Sequence, residues 1–496
     1  MNRERAETFL RLLAESELRA ACEGALVARG AWAGDSPSGS FPRLARVAQA
    51  LAAVQALDLA AAQDVLADFA VAVGVRQHTD PGPLLLTRPA ITRGRLYART
   101  WPGPGGPPGV GGVPGVGGVS GVGGVPGAGG VERLVPLGLT APFRHEEVSG
   151  EVHLLSYART SAGARFTVTW RTRSAVGQGL VGRGFENPAF PRLFTVSDDR
   201  GNSYSLDFSL GPGAGELRLR PDPPEGLRWL ELSAPGQKPV RVPVGATDPD
   251  ADVPDGDGPR VTPADRSAGE QLLLVFADRL LMVVGEHGPD LRRTSYARGP
   301  LNAMTAGLGD VAAALEAAEV LPPHSQVPGQ LAALCASLSV TGHGLTAPPG
   351  PELPERWLSL LAHYQRRKPE VAPAREGHAP LAVAFPEFDG IRLALLGLHN
   401  TEGQTILHLL VSGVPEDDGT GPPPLENLPV SVWVRDSGGR WHVAGVDSAQ
   451  SSDGEYWLRM KLRPALARSN TWIEVLVAGR SAEVCATLPL RWGYPA

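Results

Sequence analysis

GELRLRPDPPEGLRWLELSAPGQKPVRVPV, residues Gly215–Val244, decides how the whole chain is read. An alternating strand runs into an Arg-Pro break. A Trp-containing strand, a short turn and a last strand closing on proline follow. The same order returns in Gly454–Trp492, GEYWLRMKLRPALARSNTWIEVLVAGRSAEVCATLPLRW. Alternation marks half-buried strands, and Arg-Pro and Pro-Gly mark the places where they stop.

Working outward, the likeness spreads over both halves. Glu7-Thr8-Phe9-Leu10 lines up with Glu270-Gln271-Leu272-Leu273, and Leu66 with Leu331. Gly163 lines up with Gly403, Asp199 with Asp436 and Trp229 with Trp472. The offset drops between the helical and the strand parts. The Gly/Pro/Val tract Gly103–Gly130 has about that length and no counterpart in the second half. The expected fold class is therefore α+β and multidomain: a tandem duplication of a small helical bundle followed by an immunoglobulin-like antiparallel β-sandwich. The matched residues are expected to serve the shared fold, with both tryptophans as buried core anchors and both aspartates in hairpin turns.

The expected domains are a helical domain at 1–80, a transition and flexible linker at 81–131 and a β-sandwich at 132–245. An acidic linker follows at 246–261, a second helical domain at 262–368, a linker at 369–380 and a second sandwich at 381–496. Helical periodicity covers 4–30, 43–75, 263–285, 301–320, 328–340 and Leu353–Arg367. Thr262-Pro263-Ala264-Asp265 has the composition of a helix start. Strands are expected at His153–Tyr157, Arg165–Thr172, Leu193–Val196, Ser203–Phe208, Glu216–Arg220 and Arg228–Leu232. In the second half they fall at Ile391–Leu396, Gln404–Val411, Val430–Arg435, Arg440–Val446, Tyr456–Leu462, Trp472–Val477 and Val484–Arg491.

Composition narrows the function classes. Net charge is −6, and the chain carries only three lysines, Lys238, Lys368 and Lys461, beside 43 arginines. That bias reads as GC-rich codon usage and a bacterial source. The two strand regions carry net charges of +2 (132–245) and −4 (381–496), counted from their Arg, Lys, Asp and Glu. Neither gives the basic footprint that nucleic acid requires. Their opposite signs allow contact between copies of the module, within or between chains, so self-association is open. Cys22, Cys335 and Cys485 are odd in number and far apart, without metal or disulfide spacing. The N-terminus lacks an apolar signal segment, and the longest apolar run, Leu272–Val284, is broken by Asp278 and Arg279. A cytoplasmic protein without membrane insertion is expected.

The search for chemistry assigns no catalytic, cofactor-binding or metal residue, and no cofactor. The Gly tract fails the dinucleotide spacing: from Gly115 the sixth residue is Ser120, and from Gly121 it is Pro126. Asp248–Gly258 fails the calcium-loop order, with Val253 and Pro259 where Gly and Glu belong. His399, His408 and His442 share one region, but on a turn and two separate strands, so a three-histidine metal site is disfavoured. His287 and His343 lie in Gly-rich loops, and Glu146-Glu147 and Asp417-Asp418 in polar loops. The expected function is a non-catalytic intracellular protein–protein interaction or scaffold protein, its partner another protein. Two alternatives stand beside it: an enzyme, possibly a hydrolase, with a site in a helical/sandwich cleft, and a nucleic-acid-associated regulator.

Overall fold

A computed structural model describes residues 3–14, 40–57, 65–66, 131–145, 148–172, 194–211, 214–245, 258–287, 301–302, 304–346, 352–365, 377–401, 403–414, 430–452 and 454–493. The Gly/Pro/Val tract, Glu146-Glu147, Asp417-Asp418 and Cys22 lie outside them, as does most of the three expected linkers.

These residues form two compact units that interleave along the chain. One draws on Met1–Gly124, Asp265–Arg367 and Glu426–Val430, the other on Val125–Ala264, Lys368–Leu425 and Ser431–Ala496.

The first unit holds the helices: α1 (residues 3–14), α2 (Ser40–Ala53), α3 (Ala268–His287), α4 (Leu308–Ala317), α5 (Val327–Ser337) and α6 (Glu355–Gln365). Helix α2 packs on α4, and α3 packs on α4, α5 and α6. Arg43 clasps the Asp310 carboxylate with both Nε and Nη2, and Arg46 donates to the Ala306 carbonyl. Helices from both halves thus share one body. Helix α3 does not start at Thr262: Ser267 and Glu270 exchange hydrogen bonds, Ser267 N–H to Glu270 Oε2 at 2.9 Å and Glu270 N–H to Ser267 Oγ at 3.2 Å. That reciprocal cap satisfies two donors that the first turn leaves open.

The described residues of the second unit are built on β-strands. Its first sheet comprises β1 (Val131–His145), β2 (Val148–Thr160), β3 (Gly163–Thr172), β4 (Thr195–Asp198), β5 (Ser203–Gly211), β6 (Ala214–Arg220), β7 (Trp229–Ser233) and β8 (Val240–Pro243), in the order β1-β2-β3-β6-β5-β4-β7-β8. Its second sheet adds β9 (Arg260–Pro263), β10 (Gly377–Ala384), β11 (Arg392–Thr401), β12 (Gln404–Ser412), β13 (Ser431–Asp436), β14 (Trp441–Ser452), β15 (Glu455–Arg463), β16 (Trp472–Ala478) and β17 (Ala482–Pro489). The order there is β10-β11-β12-β15-β14-β13-β16-β17-β9. Setting β9 aside, the two orders are the same.

The expected fold class is corrected here. The protein is mostly β, built on two large antiparallel sheets of eight and nine strands, and among the described residues there is no tandem helical bundle. Neither sheet is an immunoglobulin-like sandwich. β5 pairs with β6 on one side and β4 on the other, and β14 likewise with β15 and β13, so each sheet is continuous. The first curls until β1 meets β8 around one core that includes Phe143, Phe166, Phe194, Leu217 and Leu230. Alternation along a strand is the same in a curled sheet as in a sandwich, so periodicity cannot separate them.

Position β9 exposes a difference between the sheets. It pairs with β17 through Thr262↔Glu483 and Arg260↔Cys485. In the first sheet Val244 N–H donates inward to Arg228 O at 3.1 Å, so alternation turns positions 239, 241 and 243 outward. Two of these are Pro239 and Pro243, which have no N–H to offer. The β8 edge is thereby blunted against strand addition.

Candidate functional site

Burial of charged and titratable side chains in the β unit concentrates where the two sheets meet. Strands β1 and β2 pack against β10 and β11. Each of β2 and β11 carries a register shift there, at Leu155 and Leu396, and both leucines are fully buried. A Cβ at Gly397 would stand 3.1 Å from the Leu155 Cβ, so glycine at this position allows the close approach.

A row of imidazoles crosses this seam. His153 on β2 stacks on His378 of β10, with ring centroids 4.3 Å apart. His378 faces His399 across the β10–β11 ladder. His399 Nδ1 lies 2.7 Å from His408 Nε2, and His408 stacks on Trp457 at 5.3 Å. Arg459 stands opposite His408 on β15, its Nη2 3.7 Å from Asp447 Oδ2. All four histidines and Arg459 are buried. Burial, with His153 adding, pushes the His378 pKa down to about 4. Burial, with Arg459 and His378 adding, pushes His399 down to about 3. Burial and the neighbouring His399 and Arg459 hold His408 well below 6.5. These three rings are neutral near pH 7, and the 2.7 Å contact is an N–H···N bond between neutral imidazoles.

A second cluster ties the sheets directly. Arg165 on β3 has its Nη1 3.2 Å from Glu216 Oε1 of β6, and its Nη2 donates to the Glu455 carboxylate of β15. Thr160 Oγ1 donates to Glu455 Oε2 at 2.9 Å. Arg165 is 1% exposed, so the group is sealed from water. Burial pushes the Glu455 carboxyl up, and the Arg165 charge opposes that rise. Removing either side of such a pair strands a buried charge.

The structure sorts the sequence candidates. His399 and His408 come together; His442 does not join them. It sets Nδ1 2.7 Å from the Pro464 carbonyl and Nε2 3.3 Å from Asp436. The rings of the seam stack, and among the described residues no three His, Cys, Asp or Glu groups are placed to hold a metal ion. His343 is a loop residue whose Nδ1 accepts from Leu345 N–H at 3.1 Å. Asp436 and its match are turn residues, but the match is Asp198, one position from the expected Asp199. Asp198 Oδ1 accepts from the amides of Arg200 and Asn202, and Asp436 Oδ1 from those of Gly438 and Arg440. Asp199 instead pairs with Arg228 at 3.0 Å. Gly163 and Gly403 both take positive φ, 119° and 73°, in equivalent turns. Trp229 and Trp472 are only half-buried, and Trp229 lies under the Arg241 guanidinium at 4.6 Å. Among the described residues the fully buried tryptophans are Trp357, Trp433 and Trp457.

Sequence reasoning missed His153, His378, Arg165 and Glu455. His378 falls in an expected linker, because Pro380 obscures edge strand β10. A charged pair 290 residues apart leaves no local mark. Compared with known proteins, the chain matches no family model, no curated protein and no solved structure.

Proposed function

We propose that this chain is a non-catalytic protein–protein interaction or scaffold protein, located in the cytoplasm, whose partner is another protein. One observation carries the reading: the groups best suited to proton transfer are spent inside the seam between the sheets. His399 and His408 are 4% and 0% exposed, face each other, and are neutral near pH 7. A general base must reach its substrate and titrate near the working pH. These rings do neither, and they serve to hold the two sheets as one body. Among the described residues no helix is long and apolar enough to cross a membrane.

The test uses the full chain and a variant with His399→Asn and His408→Asn. A partner captured from the native cell is purified and re-bound to both proteins, while both are assayed against ester, phosphoester and peptide substrates. Stoichiometric re-binding by both proteins, without turnover by either, supports the reading. Turnover by the natural chain that the double variant loses would overturn it.

A further inference from the structure

The mouth of the first sheet's core holds a cleft of about 240 Å³. Leu227 and Val244, both nearly fully buried, form its apolar wall. Arg133 of β1 and Arg159 of β2 line it as well, with Tyr157, two residues before Arg159 and part of the core, beside them. The two arginines are direct cross-strand partners. Like charges in that register repel, and a sheet ordinarily avoids them. Arg159 is compensated: its Nε donates to Glu132 at 3.2 Å and its Nη1 to the Pro223 carbonyl at 2.7 Å. Arg133 makes no hydrogen bond or ion pair with any described residue, although it is half-buried. Glu225, the other acid on the rim, is exposed. An uncompensated guanidinium at a concave, half-apolar barrel mouth is a receptor for a planar anion.

We infer that this cleft binds a carboxylate carrying a short branched apolar group. Arg133 grips the carboxylate, and the apolar group sits against Leu227 and Val244. The anion also screens the Arg133–Arg159 repulsion, so binding stabilises the sheet. The volume admits one small acid or the last residue of a peptide with a free C-terminus, and both offer the same chemistry.

Ligand-observed NMR on the full chain tests this, with isobutyrate and isobutyramide as probes. The acid is expected to bind at least tenfold more tightly than the isosteric amide, since a hydrogen bond to a charged group is worth that factor or more. Arg133→Gln is expected to cost the acid at least tenfold and to leave the melting temperature equal or higher, because the cross-strand repulsion is gone. Equal binding of acid and amide to the natural chain overturns the inference, and so does full acid binding by a folded Arg133→Gln protein. N-acetyl-Gly-Val as free acid and as amide distinguishes the sources. Tighter binding of the peptide acid than of isobutyrate assigns a peptide C-terminus, and equal binding assigns a free acid. Discrimination against both amides is required in either case.

Discussion

Acidification should weaken the β unit between pH 6.5 and about 4, and the imidazole row should be the reason. An unfolded His378 takes up its proton below pH 6.5, while the folded one does so only below about 4. Between these values the unfolded chain binds more protons, so stability falls as pH falls. The loss starts at 6.5 and is complete for this group near 4. Its size is about 3 kcal/mol for His378 alone, at 1.36 kcal/mol per tenfold change in proton affinity. His399 extends the window to about 3. His399 and His408 touch, so their protons are coupled and their losses do not simply add. The charged groups facing the row are Arg459, which opposes protonation, and Asp447, which partly offsets Arg459. Glu455 acts with the opposite sign, because its carboxyl is raised, and burial lightens its penalty as it protonates. Urea unfolding of the natural chain at pH 7, 6, 5 and 4.5, followed by tryptophan fluorescence, measures the slope. His378→Gln with His399→Gln should flatten it. An equal slope in the double variant, or no slope in the natural chain, would refute the reasoning.

Further outcomes follow from the same contacts. Glu455→Gln strands Arg165 with Glu216 as its remaining counter-charge, and should cost about 3 kcal/mol in urea unfolding at pH 7. Asp436→Ala and Asp198→Ala should each cost about 2 kcal/mol, because two turn amides lose their charged acceptor. Hydrogen bonds outweigh burial and hold both carboxyls at about 2, so this stability is present above pH 3.8 and lost as pH falls towards 2. Asp199→Ala should do much less. Trp457→Ala should cost about 4 kcal/mol by emptying a sealed site, and Trp472→Ala clearly less.

Local chemistry was legible in the sequence, and closure was not. The strands from Arg165–Thr172 to Val484–Arg491 overlap real strands, since period-two alternation reports which side of a strand is wet. Strands β1 and β10 were missed because Pro136, Pro142 and Pro380 sit in them, which edge strands tolerate. The start of α3 was placed five residues early. Thr262-Pro263 has cap composition, but those residues pair with β17 instead. Tertiary pairing overrode a local preference. The sandwich was wrong for a different reason: nothing in Thr195–Asp198 says whether its strand turns into a second layer or continues the first. The seam could not be read at all. His153, His378, Arg165 and Glu455 come from distant strands, and each alone looks like a polar residue on a solvated face.

The sharpest test is native-state hydrogen exchange on the natural chain and on Glu455→Gln, comparing amides of β2 with those of β11. If the buried seam makes one body of the two sheets, both strands exchange with one opening free energy. The substitution, made on the second sheet, then lowers protection in β2 of the first by the same amount as in β11. Protection in β2 that stays unchanged while β11 loosens would mean that the sheets open separately, and would contradict the seam.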